Sequence, residues 1–523
     1  PSLRRRIPRA GVLLAVPALV DSGIFAVAKE VYGHIGPAFY GLRTTTMALS
    51  LMALLRINRP EGLKEHAPAE LGRVLGLDRA PEVKTLRRKL GQLAALGKAE
   101  AFGRKLAERR VARRGRALGF LYADGHIRVY HGQRRLPKAH VTRMHLSLPA
   151  TTDYWVNDKH GDPLFVVTAE LNAGLSQMLP VLTEEIRALV GPKRRVTMVF
   201  DRGGWSPKLF ARLIEAGFDI LTYRKGRWTE IPAAEFARCH ARVDGRRVSY
   251  MLNDRNVRLL KGRLRLRQIT RLSPDGHQTP IVTSRRSLSA AVLAYRMFER
   301  WRQENFFKYM KEEYALDALA DHEAESLGAG VTVVNPERRK VAKELAAAHV
   351  ELTEAQALYG EAASANEEAE RPTIRGFKIA HGKLGQRIRE VQGRIAAIEN
   401  RRGGMPLRVP ANEVAGKPIM RLSRERKHLT NCMKMVAYQV ESDLLALLRP
   451  HYARADEEGR TLVTSALNSA ADLEVTGDEL RVTLRPLSSR HRDEAIVGMC
   501  AALNNMRVYY PGTKLRLWFG VRS

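Results

Sequence analysis

Cysteine is scarce in this sequence: Cys239, Cys432 and Cys500 are the three in 523 residues. They lie far apart and form no CxxC pair. That argues against a zinc ribbon or a disulfide framework and fits a reducing compartment. The fifteen histidines do not compensate, because none stand in HExxH spacing. Phosphate-cradling loops are missing too. There is neither GxGxxG nor GxxxxGKS/T, so a dinucleotide or Walker-type site is not expected. A long apolar run is also lacking. Residues 11–31 come nearest, but Pro17, Asp21, Ser22 and Lys29 break them and no signal-peptide cleavage pattern follows. The chain opens at Pro1 without a methionine, so a further N-terminal piece is expected. Finally, acid is short: 55 Asp+Glu face 88 Lys+Arg, a net charge of +33. That balance makes a polyanion, either nucleic acid or an anionic membrane, the leading partner class. An apolar share of 45% supports real cores, and the length suggests about three to four domains.

Residues 1–59 read as packed helices behind a basic arm of Arg4, Arg5, Arg6 and Arg9, with 39–57 a strongly apolar helix. Residues 60–116 carry a helix-turn-helix pattern. A short helix over 68–76 is closed by Gly76, 77–81 is the turn, and a second helix over 82–96 starts beside Pro81. Lys84, Arg87, Arg88 and Lys89 lie on that second helix. A recognition helix in a major groove has this pattern, and so does an ordinary helical hairpin. The run RKLAERRVARRGR over 104–116 is basic enough to face phosphates.

Strand signals begin at residue 117. The apolar run 118–123 leads to Asp124-Gly125, read as a turn, and 126–130, 144–148 and 162–170 follow as strands. His126 and His131 read as structural. Asp124 is either a turn residue or an acid at a strand end. A helix over 176–190 is stopped by Gly191-Pro192. The short run 195–200 then ends in Asp201-Arg202-Gly203-Gly204-Trp205-Ser206-Pro207, where Ser206 caps and Pro207 begins the helix 208–216. Residues 219–223 are a further strand. An acid at the carboxyl end of a buried strand, at a strand-to-helix crossover, sits where α/β folds gather ligands.

Residues 294–319, AYRMFERWRQENFFKYMKEEYALDAL, contain neither Pro nor Gly and predict one helix. Arg300, Glu304, Lys308 and Lys311 then share a stripe. Trp301, Phe306, Tyr309 and Tyr314 fall largely elsewhere, as core anchors. A solvated face with an Arg–Glu pair fits this stripe; so does a metal-ligating glutamate among phosphate-holding cations. Before it, 246–252, 257–260, 264–270 and 279–283 read as antiparallel strands, with Arg258, Lys261, Arg263, Arg265 and Arg267 mostly on one face. Cys239-His240 lacks partners for a metal site. After it, Val341, Leu345, Ala348, Leu352 and Ala355, then Leu384, Ile388, Val391, Ile395 and Ile398, keep coiled-coil spacing on two helices separated at 371–373. Residues 403–418 are a Gly/Pro linker, and 419–523 a small α+β unit with a long helix over 422–448.

The order strand–Asp124, strand, strand, helix, strand–Asp201, helix, strand, Glu304 helix resembles an RNase H-like nucleotidyl-transferase core. The string VFDRGGWSPKLFARLIEAGFDILTYRKG is similar to the second-aspartate region of bacterial insertion-sequence DDE transposases. The Arg300-x3-Glu304-x6-Lys311 spacing resembles the signature of their hairpin-forming cut-and-paste branch, whose tyrosine is replaced here by Met297, with Tyr295 nearby. The β-rich insertion is similar to that of the same branch. The resemblance covers about residues 117–320. Asp201 and Glu304 are its specific matches, and Asp124 follows from order and context.

The resemblance implies a multidomain α/β protein. A helical region 1–59 and a helix-turn-helix region 60–116 precede an RNase H-like core, 117–226 and 290–330, split by a β-rich insertion 227–289. A helical hairpin 331–404 and an α+β region 405–523 follow. It further implies metal-dependent DNA cleavage at transposon ends and strand transfer into target DNA. Asp124, Asp201 and Glu304 would be the catalytic ligands of two Mg²⁺ ions, with Mn²⁺ able to substitute. Arg300, Lys308 and Lys311 would hold phosphates, with Arg202, Lys84, Arg87 and Arg88 as further DNA contacts. Terminal inverted repeats and target DNA would be the partners of a homodimer, in the bacterial cytoplasm on the nucleoid and away from membranes. Two other classes stay open: a non-catalytic DNA-binding regulator or domesticated remnant, and an RNase H-like nuclease that hydrolyses without joining.

Overall fold

A computed structural model of the chain describes residues 5–36, 40–141, 144–298, 300–318, 324–327, 330–366, 373–414, 416, 418–487 and 489–522. The chain divides into two compact units, one of residues 1–131, 138–323 and 422–523, the other of 132–137 and 324–421. It is an α/β protein with mixed sheets and many helices.

The larger unit is built on a ten-stranded sheet. Pro163–Thr168, Leu146–Asn157 and Phe120–Val129 lie side by side and antiparallel. Val196–Phe200 and Phe218–Tyr223 follow, each parallel to its neighbour. Val196–Phe200 is buried at every position, because the sheet is covered on both faces. Its side chains alternate between them. Met198 and Phe200 join a cluster with Leu179, Leu182, Ile186, Phe210 and Leu213 of the helices Leu175–Val190 and Pro207–Glu215. Val199 joins another with Leu293 and Met297 of the helix Ala290–Phe298.

The β-rich segment expected as a separate insertion continues this same sheet. Gln278–Thr283 pairs antiparallel with Phe218–Tyr223, and Leu264–Leu272, Arg246–Leu259 and Ala237–Val243 extend it outward. The physical reason is burial: Leu252, Ile269 and Ile281 are covered by Ala290–Phe298 only when the sheet runs on beneath that helix. Arg258 and Arg265 stand directly opposite one another. Arg267 is held by Asp254 and the Leu288 carbonyl, and Lys261 and Arg263 sit in the connecting turn.

The N- and C-terminal segments share one core, although the sequence reading kept them apart. Arg5–Ile7 pairs with Ala471–Leu473 as an edge of a four-stranded sheet. Helices Val16–Ser22, Ile24–Tyr32 and Leu42–Leu54 pack in one apolar cluster with Arg424–Leu448, Ala455–Asn468 and Arg490–Asn505. Arg4 and Phe39 lie outside the described residues. Among the described residues no single helix is long and apolar enough to cross a membrane. The bent pair Ala10–Ser22 and Ile24–Tyr32, at 56°, passes by length and composition, and most of its apolar residues are in this cluster.

The basic run 104–116 does not present a row of unpaired cations. It forms the helix Ala99–Arg113, and most of its charges meet carboxylates: Arg104 with Glu185, Lys105 with Glu30, Arg113 with Asp21, and Arg110 and Arg114 with Asp162 and Asp443. The smaller unit contains the helices Pro336–Ser364 and Gly382–Gly403, packed through Leu345, Ala348, Val391 and Ile395. Glu351 ties to Arg387 and Arg394, and Glu344 to Arg401, so the two helices run antiparallel. Of the expected break, residues 371 and 372 lie outside the described residues, and Thr373 caps the helix Ile374–Ala380.

Arg56 joins three parts of the large unit. It adopts a left-handed backbone, φ 62°, just past the helix Leu42–Leu54. Its guanidinium donates to Glu313 at 2.8 Å, Glu441 at 2.5 Å and the Tyr309 hydroxyl at 3.1 Å, and lies 4.3 Å from the Tyr314 ring centre. The Glu441 side chain is 1% exposed; it also meets Arg460 at 3.5 Å and accepts from the Tyr309 hydroxyl at 2.9 Å, so removing Arg56 takes the nearer of two cations from a buried charge. Arg56→Met is expected to destabilise the protein by about 3–5 kcal/mol. Adding Glu441→Gln should recover part of that loss, as read from denaturant unfolding of the single and double variants.

Candidate active site

Asp124 lies in the middle of the strand Phe120–Val129, not in a turn. Gly125 misled the sequence reading. Its Cβ would stand 2.9 Å from the Tyr154 ring across the ladder, so glycine is required there by packing, with no chain reversal. Parallel pairing with Val196–Phe200 ends at the rung Ala123–Phe200. Asp124 is the next residue on the first strand and Asp201 the residue just past the second; the two strands run about 4.8 Å apart. Each is fixed by a backbone N–H: Asp124 accepts from Gly125 at 2.8 Å, and Asp201 from Gly203 at 2.8 Å. The Thr222 hydroxyl donates to the Asp201 carbonyl at 3.1 Å.

The expected single helix over 294–319 is two, Ala290–Phe298 and Trp301–Glu312; Leu319 lies outside the described residues. They pack into different clusters, the first over the outer strands and the second, through Phe306, Phe307 and Met310, into the core shared by the chain ends. One straight helix could not face both. Arg300 stands at the junction. Its Nη1 donates to Asp124 Oδ2 at 2.9 Å and its Nη2 to Glu304 Oε1 at 2.9 Å. Next to Glu304, the buried Gln303 donates from Nε2 to the Tyr122 carbonyl at 3.1 Å and to Asn157 Oδ1 at 3.3 Å. The glutamate helix is thereby stitched to the strand carrying Asp124.

The remaining predicted residues are dispersed. Lys308 is exposed. Lys311 faces Asp317 at 4.0 Å, and Asp317 also meets the buried His126, so the stripe of three cations around Glu304 reduces to Arg300. Arg202 is exposed and lies 5.7 Å from the Tyr223 ring centre. On the helix Val83–Ala95, where the recognition helix was expected, Lys84 and Arg88 are exposed and Arg87 is paired with Glu61. Lys89 is buried and donates to the Ile35 carbonyl at 3.1 Å, which removes it from any groove-facing set.

Electrostatically the acids belong to one site. Burial pushes the Asp124 carboxyl up; Arg300 pulls it down, Asp201 pushes it up again, and it settles at about 6. For Arg300, burial works against the charge, but Asp124, Asp201, Glu304 and Tyr223 together raise it above its ordinary value. Burial first, then Asp124 and Asp201, raise the Tyr154 phenol, which donates to the Ala173 carbonyl at 3.0 Å. Among the described residues, no three His, Cys, Asp or Glu side chains stand close enough to hold a metal ion. Sequence spacing did not reveal Gln303, Tyr154 or Tyr223. Only the adjacency of Gln303 to Glu304 pointed to any of them.

Fold and site define an α/β protein in which one arginine bonds a strand-borne aspartate and a helix-borne glutamate and feels a second aspartate at the end of the neighbouring strand. Residues 4–523 match a family described as "Transposase protein", and the chain belongs to that family of transposases. No curated protein matches it. Among solved structures, the cryo-electron microscopy structure of a piggyBac transposase synaptic complex with hairpin DNA is similar over 59% of this chain and 71% of that chain, at 11% identity and a TM-score of 0.31.

In the metal-free protein the Asp124 carboxyl should titrate near about 6. Asp201→Asn removes a like charge and should lower that midpoint. Arg300→Gln removes the counter-charge and should raise it. Carbon-13 NMR of labelled aspartate carboxyls reads both shifts.

Proposed function

We propose that this transposase is a DDE enzyme on an RNase H-like core, in which Asp124, Asp201 and Glu304 hold two Mg²⁺ ions, or Mn²⁺ in their place. It cuts DNA at the terminal inverted repeats of its element and joins the ends to target DNA, as a homodimer. One observation carries the reading: Arg300 touches Asp124 and Glu304 together and feels Asp201, so acids from three separate elements are neighbours of a single cation. Three antiparallel strands followed by two parallel ones support the RNase H-like core.

The donor set suits a hard divalent ion, which prefers carboxylate oxygens, and a guanidinium already occupies the space between two of those acids. When bound, a pair of such ions activates an attacking oxygen and stabilises the leaving oxygen of a phosphodiester. The rest falls to the chain's own groups. Gly203 and Thr222 fix Asp201, Gln303 fixes the glutamate helix, and Arg300 offers a planar fork for two phosphate oxygens. Exposed Arg202, Lys308, Lys84 and Arg88 are available to the DNA backbone, as are Arg87 and Lys311 on exchanging a carboxylate partner for phosphate.

Asp201→Asn and Glu304→Gln should abolish cleavage of terminal-repeat DNA and leave binding intact. Affinity should fall with salt at a log–log slope of about −0.9 per phosphate neutralised. A labelled-DNA time course with Mg²⁺, alongside titrations in Ca²⁺, measures both. Loss of binding together with cutting would assign the acids a structural role, and hydrolysis without joined product would make the protein a nuclease.

A further inference from the structure

We propose that Arg300 is the resident counter-ion of the metal-free acid cluster, and that it must withdraw before a divalent ion enters, so that DNA phosphate and metal enter cooperatively. The inference rests on the reading of Asp124, Asp201 and Glu304 as metal ligands and adds how that site is kept closed.

Three observations lead to it. Arg300 spans Asp124 and Glu304 with two 2.9 Å bonds, which are the oxygens an ion would need. Its side chain is 14% exposed while that of Glu304 is 62% exposed, so the guanidinium lies inside the cluster with the glutamate outside it. The described acids do not form a ready metal cage. An arginine cannot vacate the site by losing its proton. A divalent ion brought within a few ångströms of a fixed guanidinium meets direct repulsion at low dielectric. The side chain therefore has to swing away, and it needs another anion to swing to. A DNA phosphate supplies one, with a geometry that the planar fork matches in place of two carboxylates. The backbone of Arg300 is held at the start of Trp301–Glu312, its N–H bonded to the Met297 carbonyl at 3.2 Å and its carbonyl accepting from the Gln303 N–H at 2.9 Å, so the movement falls to the side chain. Its Nε is buried and makes no hydrogen bond among the described residues, so only the two terminal nitrogens tie the side chain to its present position. In this arrangement the enzyme without DNA resists loading with metal, and so resists cutting at unselected sites.

The test is direct metal binding, separate from activity. Mn²⁺ is titrated into the full-length protein and followed by electron paramagnetic resonance, without DNA and then with a duplex carrying one terminal repeat. Wild type should bind Mn²⁺ weakly alone and at least tenfold more tightly with the duplex. Arg300→Gln should bind at least tenfold more tightly than wild type without DNA and gain little when the duplex is added. Adding Asp201→Asn should remove the tight binding. Arg300→Met serves as a second variant, and circular dichroism establishes that each is folded. Equal Mn²⁺ affinity of wild type and both variants without DNA would overturn the counter-ion role. Absence of any Asp201-dependent Mn²⁺ binding, in all proteins with and without DNA, would overturn the metal-site reading itself. The two failures are thus distinguishable.

Discussion

A helix buried on nearly every side has to find a partner for each polar group it carries, and Arg424–Leu448 is such a helix. Lys427 meets Asp153 at 2.8 Å, and Asn431 exchanges hydrogen bonds with Asp153 and Arg128. Lys434 donates to the Ala315 carbonyl, Gln439 to the Pro163 carbonyl and Ser442 to Asp162, while Glu441 accepts from Arg56. These partners belong to the central strands, the end of the glutamate helix and the N-terminal helices. An unpaired buried polar group costs as much as a lost hydrogen bond or more. Each segment is therefore held in register by the same requirement, and the sheet, the glutamate helix and the chain ends form one mechanical body.

That body explains how an exposed glutamate keeps a defined position. Glu304 itself has little around it, but the residues flanking it do. Gln303 is tied to the strand edge, and Arg56 grips Tyr309 and Glu313 further along the same helix. The acid is positioned by its neighbours in sequence, while its own carboxylate accepts from Arg300.

Parts of this were legible in the sequence, and the reasons differ residue by residue. The strand ending at Asp201 and the helix after Ser206-Pro207 could be read locally, because a β-branched run, an N-cap and a proline at the helix start are local signals. Asp124 was read beside a turn and lies within a strand, since the neighbour of Gly125 is a ring from another strand. The basic run 104–116 looked free because its carboxylate partners lie far along the chain, from Asp21 to Asp443. The polar residues of Arg424–Leu448 resemble a solvated face when read alone, so nothing local marked that helix as central. The register between strands and the packing of Ala290–Phe298 and Trp301–Glu312 into different clusters likewise depend on contacts across the fold.

The ordering of the large unit along the chain has a consequence for synthesis. Glu304 is translated long before Arg424–Leu448, with the whole helical hairpin in between. At about 5–20 residues per second, the nascent chain spends several seconds with all three acids made and their supporting helix still unmade. During that interval Arg56, Asp153 and Asp162 have no partner on that helix. A stalled or truncated product carries the full set of acids without the frame that aligns them, so the assembled site belongs to the completed polypeptide.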